Sequence, residues 1–236
     1  MPKKNLTGAL SLTDQFNAAS ANTVLVFDLD NTIVEISSLY DQMERAFARF
    51  LAPRLNVSEA VALKEVHSML GAGYYIQDEA LKRHNVPILE TLKATYDPAL
   101  LDFKGLTVDP KLKSVLDAIN CPKYILTNAA GYYGRAVIDH LGLRSCFTDV
   151  VGTDDLGLTR KPYKACYDAF EQKFGLVGKD IHFFEDTPEN LDAAYFYNKW
   201  HGHLVEEHRK HPAYPFGTRQ PYYIRTRMHS LLDLAK

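Results

Sequence analysis

The sequence has no long apolar run, few cysteines and no marked excess of charge, and each absence excludes a class of protein. No run approaches the ~20 apolar residues that a membrane-spanning helix needs. The net charge of −2 gives no reason to expect binding to a nucleic acid polymer or a membrane surface. The three cysteines, Cys121, Cys146 and Cys166, include no C-x-x-C pair, so we expect reduced thiols.

The amino-terminal residues 1–22 are polar and lack the apolar core of a secretory signal. Together with the odd number of cysteines, this predicts a cytoplasmic protein. Apolar residues make up 46% of the 236-residue chain and charged residues 24%, which is typical of a globular protein. The length suits one α/β domain with a sizeable insertion, or two small domains.

Short apolar runs alternate with amphipathic segments, which predicts a parallel sheet wrapped by helices. The runs predict strands at residues 23–27, 123–127, 148–151, 181–184 and 202–205. Helical spacing follows at residues 111–119, 133–141 and 163–174. The fold class expected from this alternation is α/β, with a Rossmann-like sheet.

Residues 36–106 interrupt that alternation, because they contain amphipathic helical patterns and no convincing strand. Helices are predicted at residues 41–51, from Ser58, at 78–84 and at 88–94, with a turn at 71–73 before Tyr74 and Tyr75. We therefore divide the chain into an amino-terminal extension (1–22), a core (23–35 and 107–205), a helical insertion (36–106) and a carboxyl-terminal extension (206–236). The tail at 201–236 is predicted to hold a last strand, an irregular stretch at 212–215 and a short helix at 228–235.

Four polar segments carry the chemistry, and three of them follow predicted strands. Because parallel strands bring their carboxyl ends to one edge of the sheet, these three should meet in one crevice. The segments are Asp28-Leu-Asp30-Asn-Thr32, Thr127-Asn128-Ala129, Arg160-Lys161-Pro162, and Glu185-Asp186-Thr187-Pro188-Glu-Asn190.

The crevice suits phosphoryl transfer. Asp28 and Asp186, with a backbone carbonyl nearby, offer the oxygen ligands that Mg²⁺ prefers. A carboxylate can then attack phosphorus, while Lys161 and the Thr127 hydroxyl bind the remaining phosphoryl oxygens. Asp30 can protonate the leaving oxygen and afterwards deprotonate the attacking water.

The four segments, in this order, resemble the haloacid dehalogenase superfamily of phosphohydrolases over residues 23–205. The resemblance implies that Asp28 is the nucleophile and Asp30 the general acid/base, with Thr127, Asn128 and Lys161 binding phosphate. It also implies a helical cap at 36–106 that closes over a small phosphorylated metabolite. The implied Mg²⁺ ligands are Asp28, Asp186 and the Asp30 backbone carbonyl, supported by Glu185 and Asn190.

The superfamily also contains dehalogenases, and Asp30 favours a phosphatase, because a halide leaves without a proton and an alcohol does not. A narrower resemblance is to the pyrimidine 5′-nucleotidase branch, which implies a nucleotide substrate. That branch commonly continues its first motif with Leu-Tyr-Pro, whereas this chain has Ile33, Val34 and Glu35. Tyr74 and Tyr75 could stack on a base, or could pack within the helical insertion.

Several simpler interpretations compete with these roles. Asp28 and Asp30 could form a strand-end turn, Lys161 could be a surface lysine, and Thr127 could be a helix N-cap. Glu185 and Asn190 could only hold Asp186 and Lys161 in place. An EF-hand is excluded, because its glycine and glutamate positions hold other residues. We expect the carboxyl-terminal histidines to be solvated and His182 to be packed in its strand. The histidines concerned are His201, His203, His208 and His211.

Two alternatives to a nucleotide phosphatase follow from the sequence. The first is a sugar-phosphate phosphatase or a phosphomutase with the same chemistry; a mutase would need cap cations, and Lys64, Lys82, Arg83 and Lys93 do not localise such a site. The second is a non-catalytic binding protein that has kept the fold. The sequence leaves a monomer and a homodimer open.

Overall fold

The computed structural model describes residues 10–72, 75–211 and 219–236, and it contains one six-stranded sheet in which every strand pair is parallel. This confirms the predicted α/β class. The strands are β1 (Thr23–Phe27), β2 (Lys123–Leu126), β3 (Asp149–Val151), β4 (Asp180–Glu185), β5 (His201–Val205) and β6 (Thr226–Met228).

The strand order is β3-β2-β1-β4-β5-β6, so β1 lies at the centre of the sheet. Phe27, the last residue of β1, pairs with Ile125 on one side and with Phe184 on the other. Strands β2 and β3 lie on one side of β1, and β4 to β6 lie on the other. At such a reversal of strand order, open α/β sheets form the crevice that binds ligands. All five residues of β1 are buried, in keeping with a sequence that has no charge and is apolar from Val24 onward.

Helices cover both faces of the sheet. The chain forms α1 (Leu12–Ala18), α2 (Ser37–Leu55), α3 (Glu59–Ala72), α4 (Ile76–His84), α5 (Ile88–Tyr96), α6 (Leu112–Asp117), α7 (Gly131–His140), α8 (Lys164–Phe174) and α9 (Pro188–Asn198). Leu25 and Phe27 of β1 belong to an apolar cluster with residues of α1, α6 and α7. Val24 and Val26 belong to a second cluster with residues of α8 and α9. Alternate side chains of one strand therefore fill two cores.

Helices α2 to α5 contribute to a third apolar cluster, apart from the two at the sheet. It joins α2 and α3 to the start of α4, with Phe47, Leu51, Val66, Met69 and Ile76 all buried. We call residues 36–106 the helical insertion; among its described residues the structure has α2 to α5 and two 3₁₀ turns. Among the described residues, no helix is both long and apolar enough to cross a membrane.

Several local expectations need correction or lie outside the description. His203, which was expected to be solvated, is buried in β5, because that strand lies between β4 and β6. Met228 ends a strand, and only Leu231–Ala235 is helical; it forms a 3₁₀ turn capped by Ser230, so the predicted helix at 228–235 is too long. Gly71 and Ala72 continue α3, so the turn predicted at 71–73 does not begin there. Gly73, Tyr74 and the irregular stretch at 212–215 lie outside the described residues.

Candidate functional site

The chain leaves β1 through a tight turn that places two carboxyl groups at the carboxyl edge of the sheet. The Asp28 amide donates to the carbonyl of Phe184, which continues the pairing of β1 with β4. Asn31 then adopts a left-handed conformation with φ of 64°, which asparagine tolerates better than most residues. The amides of Thr32 and Ile33 donate to the Leu29 carbonyl. Asp28 and Asp30 therefore lie in a hydrogen-bonded turn directly after the carboxyl end of β1.

Lys161 is the cationic centre of the site and is fully buried. Its Nζ donates to Asp28 Oδ1 at 2.5 Å and to Glu185 Oε2 at 2.8 Å. Glu185 also accepts from the Thr187 amide at 3.0 Å and from Asn190 Nδ2 at 3.1 Å. The simpler interpretation of Lys161 as a surface lysine is therefore wrong, and Glu185 and Asn190 form the structure that holds it.

Asn128 fixes the backbone of Lys161 from the neighbouring loop. Its Oδ1 accepts from the Lys161 amide at 2.9 Å, and its Nδ2 donates to the Lys161 carbonyl at 3.0 Å. The hydroxyl oxygen of Thr127 accepts from the Ala129 amide at 3.0 Å. Because α7 is capped at Ala130, Thr127 is not the N-cap of that helix.

Arg160 ties the same loop to the helical insertion. Its guanidinium pairs with the carboxylate of Asp78 in α4 and lies over the ring of Tyr75, with 4.6 Å between Cζ and the ring centroid. The Tyr75 hydroxyl accepts from Asn128 Nδ2 at 3.2 Å. The start of α4 is therefore bonded to the two residues next to Thr127 and Lys161.

Three carboxylates converge at the end of β4 and β1. Oxygen atoms of Asp28, Glu185 and Asp186 lie within 4.8 Å of one another, and all three residues are buried. The Thr32 hydroxyl donates to Asp186 Oδ1 at 2.9 Å. Three buried carboxylates against one lysine ammonium leave an excess of negative charge, which a hard divalent cation with oxygen ligands would balance.

The pKa of Asp28 reflects first its burial and then the neighbouring carboxylates. Burial, and then the charge of Glu185, raise the pKa of Asp28 to about 8, although Lys161 opposes the rise. Burial alone would lower the pKa of Lys161, but the carboxylates of Asp28 and Glu185 hold it above its ordinary value. Lys161 is therefore an ammonium at neutral pH, and a cation beside Asp28 would favour the ionised carboxylate.

Asp30 has a different environment. Burial raises the pKa of Asp30 to about 6, while a hydrogen bond from the Tyr133 hydroxyl at 3.0 Å acts in the opposite direction. Tyr133 is fully buried in α7, and its ring packs against Tyr96 of the helical insertion with 5.2 Å between centroids. A carboxyl with this pKa can exchange a proton near neutral pH.

A cavity of about 450 Å³ lies between the carboxyl edge of the sheet and the helical insertion. Its floor contains all eight side chains singled out from the sequence, namely Asp28, Asp30, Thr127, Asn128, Lys161, Glu185, Asp186 and Asn190. Sequence reasoning singled out Tyr75, which lines this cavity, but it missed Tyr133 beside Asp30 and two further lining tyrosines, Tyr40 and Tyr96. Nothing in the spacing of these residues indicates that they meet, since they come from separate elements.

The chain matches the family model of the haloacid dehalogenase-like hydrolases over residues 23–194. Among solved structures it is similar to a haloacid dehalogenase phosphatase from Thermococcus onnurineus, with 18% identity, 90% of this chain and 95% of that chain covered, and a TM-score of 0.61. A second similar structure is the haloacid dehalogenase-like protein SP0104 from Streptococcus pneumoniae. It has 16% identity, 90% of this chain and 96% of that chain covered, and a TM-score of 0.56. A third is the L-2-haloacid dehalogenase from Xanthobacter autotrophicus, with 16% identity, 90% of this chain and 96% of that chain covered, and a TM-score of 0.54.

At these identities the solved structures show the fold alone, and they include phosphatases as well as dehalogenases. The comparison with curated protein sequences gives no match. The family model covers most of the chain, including the whole of β1 to β4 and the four polar segments at their ends. The chain therefore belongs to the haloacid dehalogenase-like hydrolases.

Proposed function

We propose that this hydrolase is a Mg²⁺-dependent phosphomonoesterase that acts through an aspartyl-phosphate on Asp28. The observation that carries the proposal is that two carboxyl groups on one turn have different hydrogen-bond partners. Asp28 is bonded to the buried ammonium of Lys161, and Asp30 is bonded to the hydroxyl of Tyr133. Such a separation suits a nucleophile and an acid/base in one site.

The residues present fit a magnesium ion. Asp28 and Asp186 would hold it with their carboxylates and Asp30 with its backbone carbonyl, because these are hard oxygen ligands around an excess of negative charge. When bound, Mg²⁺ would reduce the repulsion between the phosphate group and these carboxylates. Glu185 is close enough to contribute, but its oxygens already accept from Lys161, Thr187 and Asn190.

In the first step, an Asp28 oxygen attacks the phosphorus atom of the ester. The bond from phosphorus to the ester oxygen breaks, and that oxygen takes a proton from Asp30. Lys161 and the Thr127 hydroxyl bind the phosphoryl oxygens while their charge develops. The products of this step are the free alcohol and a phosphoryl group on Asp28.

In the second step, Asp30 is a carboxylate and accepts a proton from a water molecule. The water oxygen attacks phosphorus, and the bond from phosphorus to Asp28 breaks. Inorganic phosphate leaves, Asp28 is regenerated, and Asp30 is again protonated. An acid with a pKa of about 6 can carry out both halves of this exchange near neutral pH.

The finer proposal is that helices α2 to α5 act as a cap and that the substrate is a nucleoside 5′-monophosphate, with a pyrimidine base. A cavity of about 450 Å³ is within the usual range for a ligand of this size. Tyr75 lines it and could contact a base. A phosphomutase is less well supported, because none of the four cations considered for its second phosphate lines the cavity: Lys64, Lys82, Arg83 and Lys93.

A phosphate-release assay with Mg²⁺ over nucleoside monophosphates and sugar phosphates tests the proposal. We expect release from UMP or CMP to exceed release from AMP, and Asp28→Asn to abolish it. A matched control is Asp139→Asn, which changes an exposed aspartate in α7 and should leave turnover unchanged. Preference for sugar phosphates would reject the nucleotide assignment alone.

The covalent step has its own test. Asp30→Asn should slow the second step and leave a phosphorylated enzyme, detectable as an added phosphoryl mass on the intact protein. Near-native turnover by Asp28→Asn would refute the covalent mechanism. A wild-type protein that binds phosphate esters and releases no phosphate would instead support the non-catalytic alternative.

A further inference from the structure

The helical insertion forms one side of the cavity with side chains that carry no positive charge. We call this side the insertion wall; it consists of the lining residues between positions 36 and 96. Four of them are aliphatic or methionine, three are tyrosine, and the other three are Glu44, Gln77 and Thr95. Among the described residues of this wall there is no lysine, arginine or histidine.

The acidic groups that face the cavity outside its floor already have partners on the protein surface. Glu44 pairs with His67 at 2.9 Å, and Glu189 pairs with Arg219 at 2.8 Å. Lys161 is enclosed by Asp28 and Glu185. A second anionic group on a ligand would therefore lose water and meet carboxylates, which is unfavourable on both counts.

Apart from Glu44, the polar groups of the insertion wall are neutral, and two of its tyrosines each accept a hydrogen bond from an asparagine amide. Asn31 Nδ2 donates to the Tyr40 hydroxyl oxygen at 3.0 Å. Tyr75 accepts from Asn128 in the same way. Because each hydroxyl oxygen accepts from an amide, its own hydrogen is left to donate elsewhere.

Thr95 adds a further neutral group to the insertion wall. Its hydroxyl is buried and has no hydrogen-bond partner among the described residues. Aromatic rings combined with neutral hydrogen-bonding groups suit a ligand that is partly apolar and carries hydroxyl or carbonyl oxygens.

We propose that the insertion wall is a leaving-group subsite that accepts an uncharged, ring-bearing alcohol and rejects one that carries a carboxylate or a second phosphate. The inference rests on the proposed function only for the position of the reacting phosphate, beside Asp28 and Lys161. It does not depend on the identity of the base or on the covalent mechanism.

Binding of two phosphonates to the full chain in the presence of Mg²⁺ tests the subsite without turnover, because their carbon–phosphorus bond does not hydrolyse. The probes are benzylphosphonate and 4-carboxybenzylphosphonate, measured by titration calorimetry. We expect the carboxylate to weaken binding about tenfold or more. The reason is that an unpaired charge loses part of its hydration at the insertion wall. Equal affinities, or no binding of either probe, would overturn the proposal.

A charge-introducing variant makes the test specific to the wall. Leu70 lies in α3, lines the cavity and is 39% exposed, so Leu70→Arg can be introduced without opening a core. It should reduce the difference between the two phosphonates to about threefold or less. Leu81 of α4 is 43% exposed and does not line the cavity, so Leu81→Arg should keep the wild-type difference. The same reduction in both variants would show that net charge, rather than the wall, sets the preference.

Turnover of phenyl phosphate and 4-carboxyphenyl phosphate separates this inference from the proposed function. If the phosphonates differ in affinity and neither ester is hydrolysed, the proposed function fails and the subsite stands. If both esters are hydrolysed with equal kcat/KM and the phosphonates bind equally, the subsite fails and the phosphatase stands.

Discussion

At the scale of single residues, Lys161 connects the stability of the site to its chemistry. It is a buried ammonium between two carboxylates, so Lys161→Met would leave Asp28 and Glu185 without their counter-charge. Removing one partner of a buried ion pair typically costs ~3–5 kcal/mol of unfolding free energy. We expect a loss of that size in urea unfolding, together with loss of phosphate release even under conditions where the variant is folded.

Lys123 provides a matched control, because it is also a buried lysine. Its ammonium donates to the backbone carbonyls of Ile119 and Cys121, away from the cavity. Lys123→Met should lower the unfolding free energy and keep kcat/KM near the wild-type value. If the two variants lose activity in proportion to stability alone, Lys161 has no specific part in phosphate binding.

The polar residues next to strand ends could be predicted from the sequence, because short spacing fixes their positions. Asp28 and Asp30 follow a strand directly, and Asp186 follows another. Tyr133 could not be predicted, since its contact with Asp30 spans 103 residues and depends on how α7 lies over the sheet. The amide pairing of Asn128 with the Lys161 backbone is of the same kind, across 33 residues.

At the scale of elements, apolar runs predicted five strands to within a residue or two, whereas strand order came only from the structure. Strand pairing depends on which faces of the sheet the helices cover, and an apolar run does not indicate which other strand it pairs with. The helix α1 was not predicted, although Ser11 accepts from the Asp14 amide as an N-cap would. Its Phe16 is buried against the β4–β5 pair through His182 and His203.

The sheet contains a row of neutral histidines that should make stability depend on pH. His182 of β4 and His203 of β5 share a hydrogen bond of 2.9 Å between ring nitrogens, and His203 continues to Thr226 of β6. Burial lowers the pKa of His182 to about 4, against the opposing charge of Asp180. Burial, and then His182, hold the pKa of His203 well below its ordinary value.

These pKa values give the direction of the effect. The unfolded histidines take up protons near pH 6.5 and the folded ones do not, so their contribution is complete above about pH 6.5 and is lost as the pH falls towards 4. Each such histidine can add about 1.4 kcal/mol per pH unit to the slope. We expect His182→Gln to lose less unfolding free energy than wild type between pH 7 and pH 5, measured by urea unfolding.

The exposed His140 of α7 supplies the comparison for this experiment. His140→Gln should follow the wild-type dependence on pH, because it leaves the hydrogen-bonded pair of His182 and His203 in place. Parallel curves for His182→Gln and wild type would show that the buried pair does not contribute. Comparing variants removes the contributions of the carboxylates, which are common to all three proteins.

At the scale of the whole molecule, the site lies where the sheet and the helical insertion meet, and residues of α2 and α5 also join one of the sheet's apolar clusters. Two apolar clusters lie on opposite faces of the sheet, and a third is inside the helical insertion. The sequence predicted the insertion, because its helical spacing interrupts the strand pattern. The shape of the cavity could not be predicted, since it depends on how α4 is held to the core through Arg160 and Asp78.

The excess of negative charge at this junction predicts that Mg²⁺ will stabilise the whole chain. Folding brings the oxygens of Asp28, Glu185 and Asp186 within 4.8 Å of one another, and an unfolded chain cannot reproduce that arrangement. At a Mg²⁺ concentration 100-fold above its dissociation constant, the unfolding free energy should rise by about 2.7 kcal/mol. For a chain of this size, that corresponds to a rise in Tm of roughly 5–10 °C.

Calorimetric or fluorescence melting with and without Mg²⁺ measures this rise, and Asp186→Asn should remove it. Asp139→Asn, which changes an exposed aspartate far along α7, should show the full rise and so exclude a general effect of ionic strength. Because an added cation favours ionised carboxylates, the rise should be larger at pH 8 than at pH 5, where protons compete for the same oxygens. An equal rise in wild type and Asp186→Asn would place the bound ion elsewhere in the molecule.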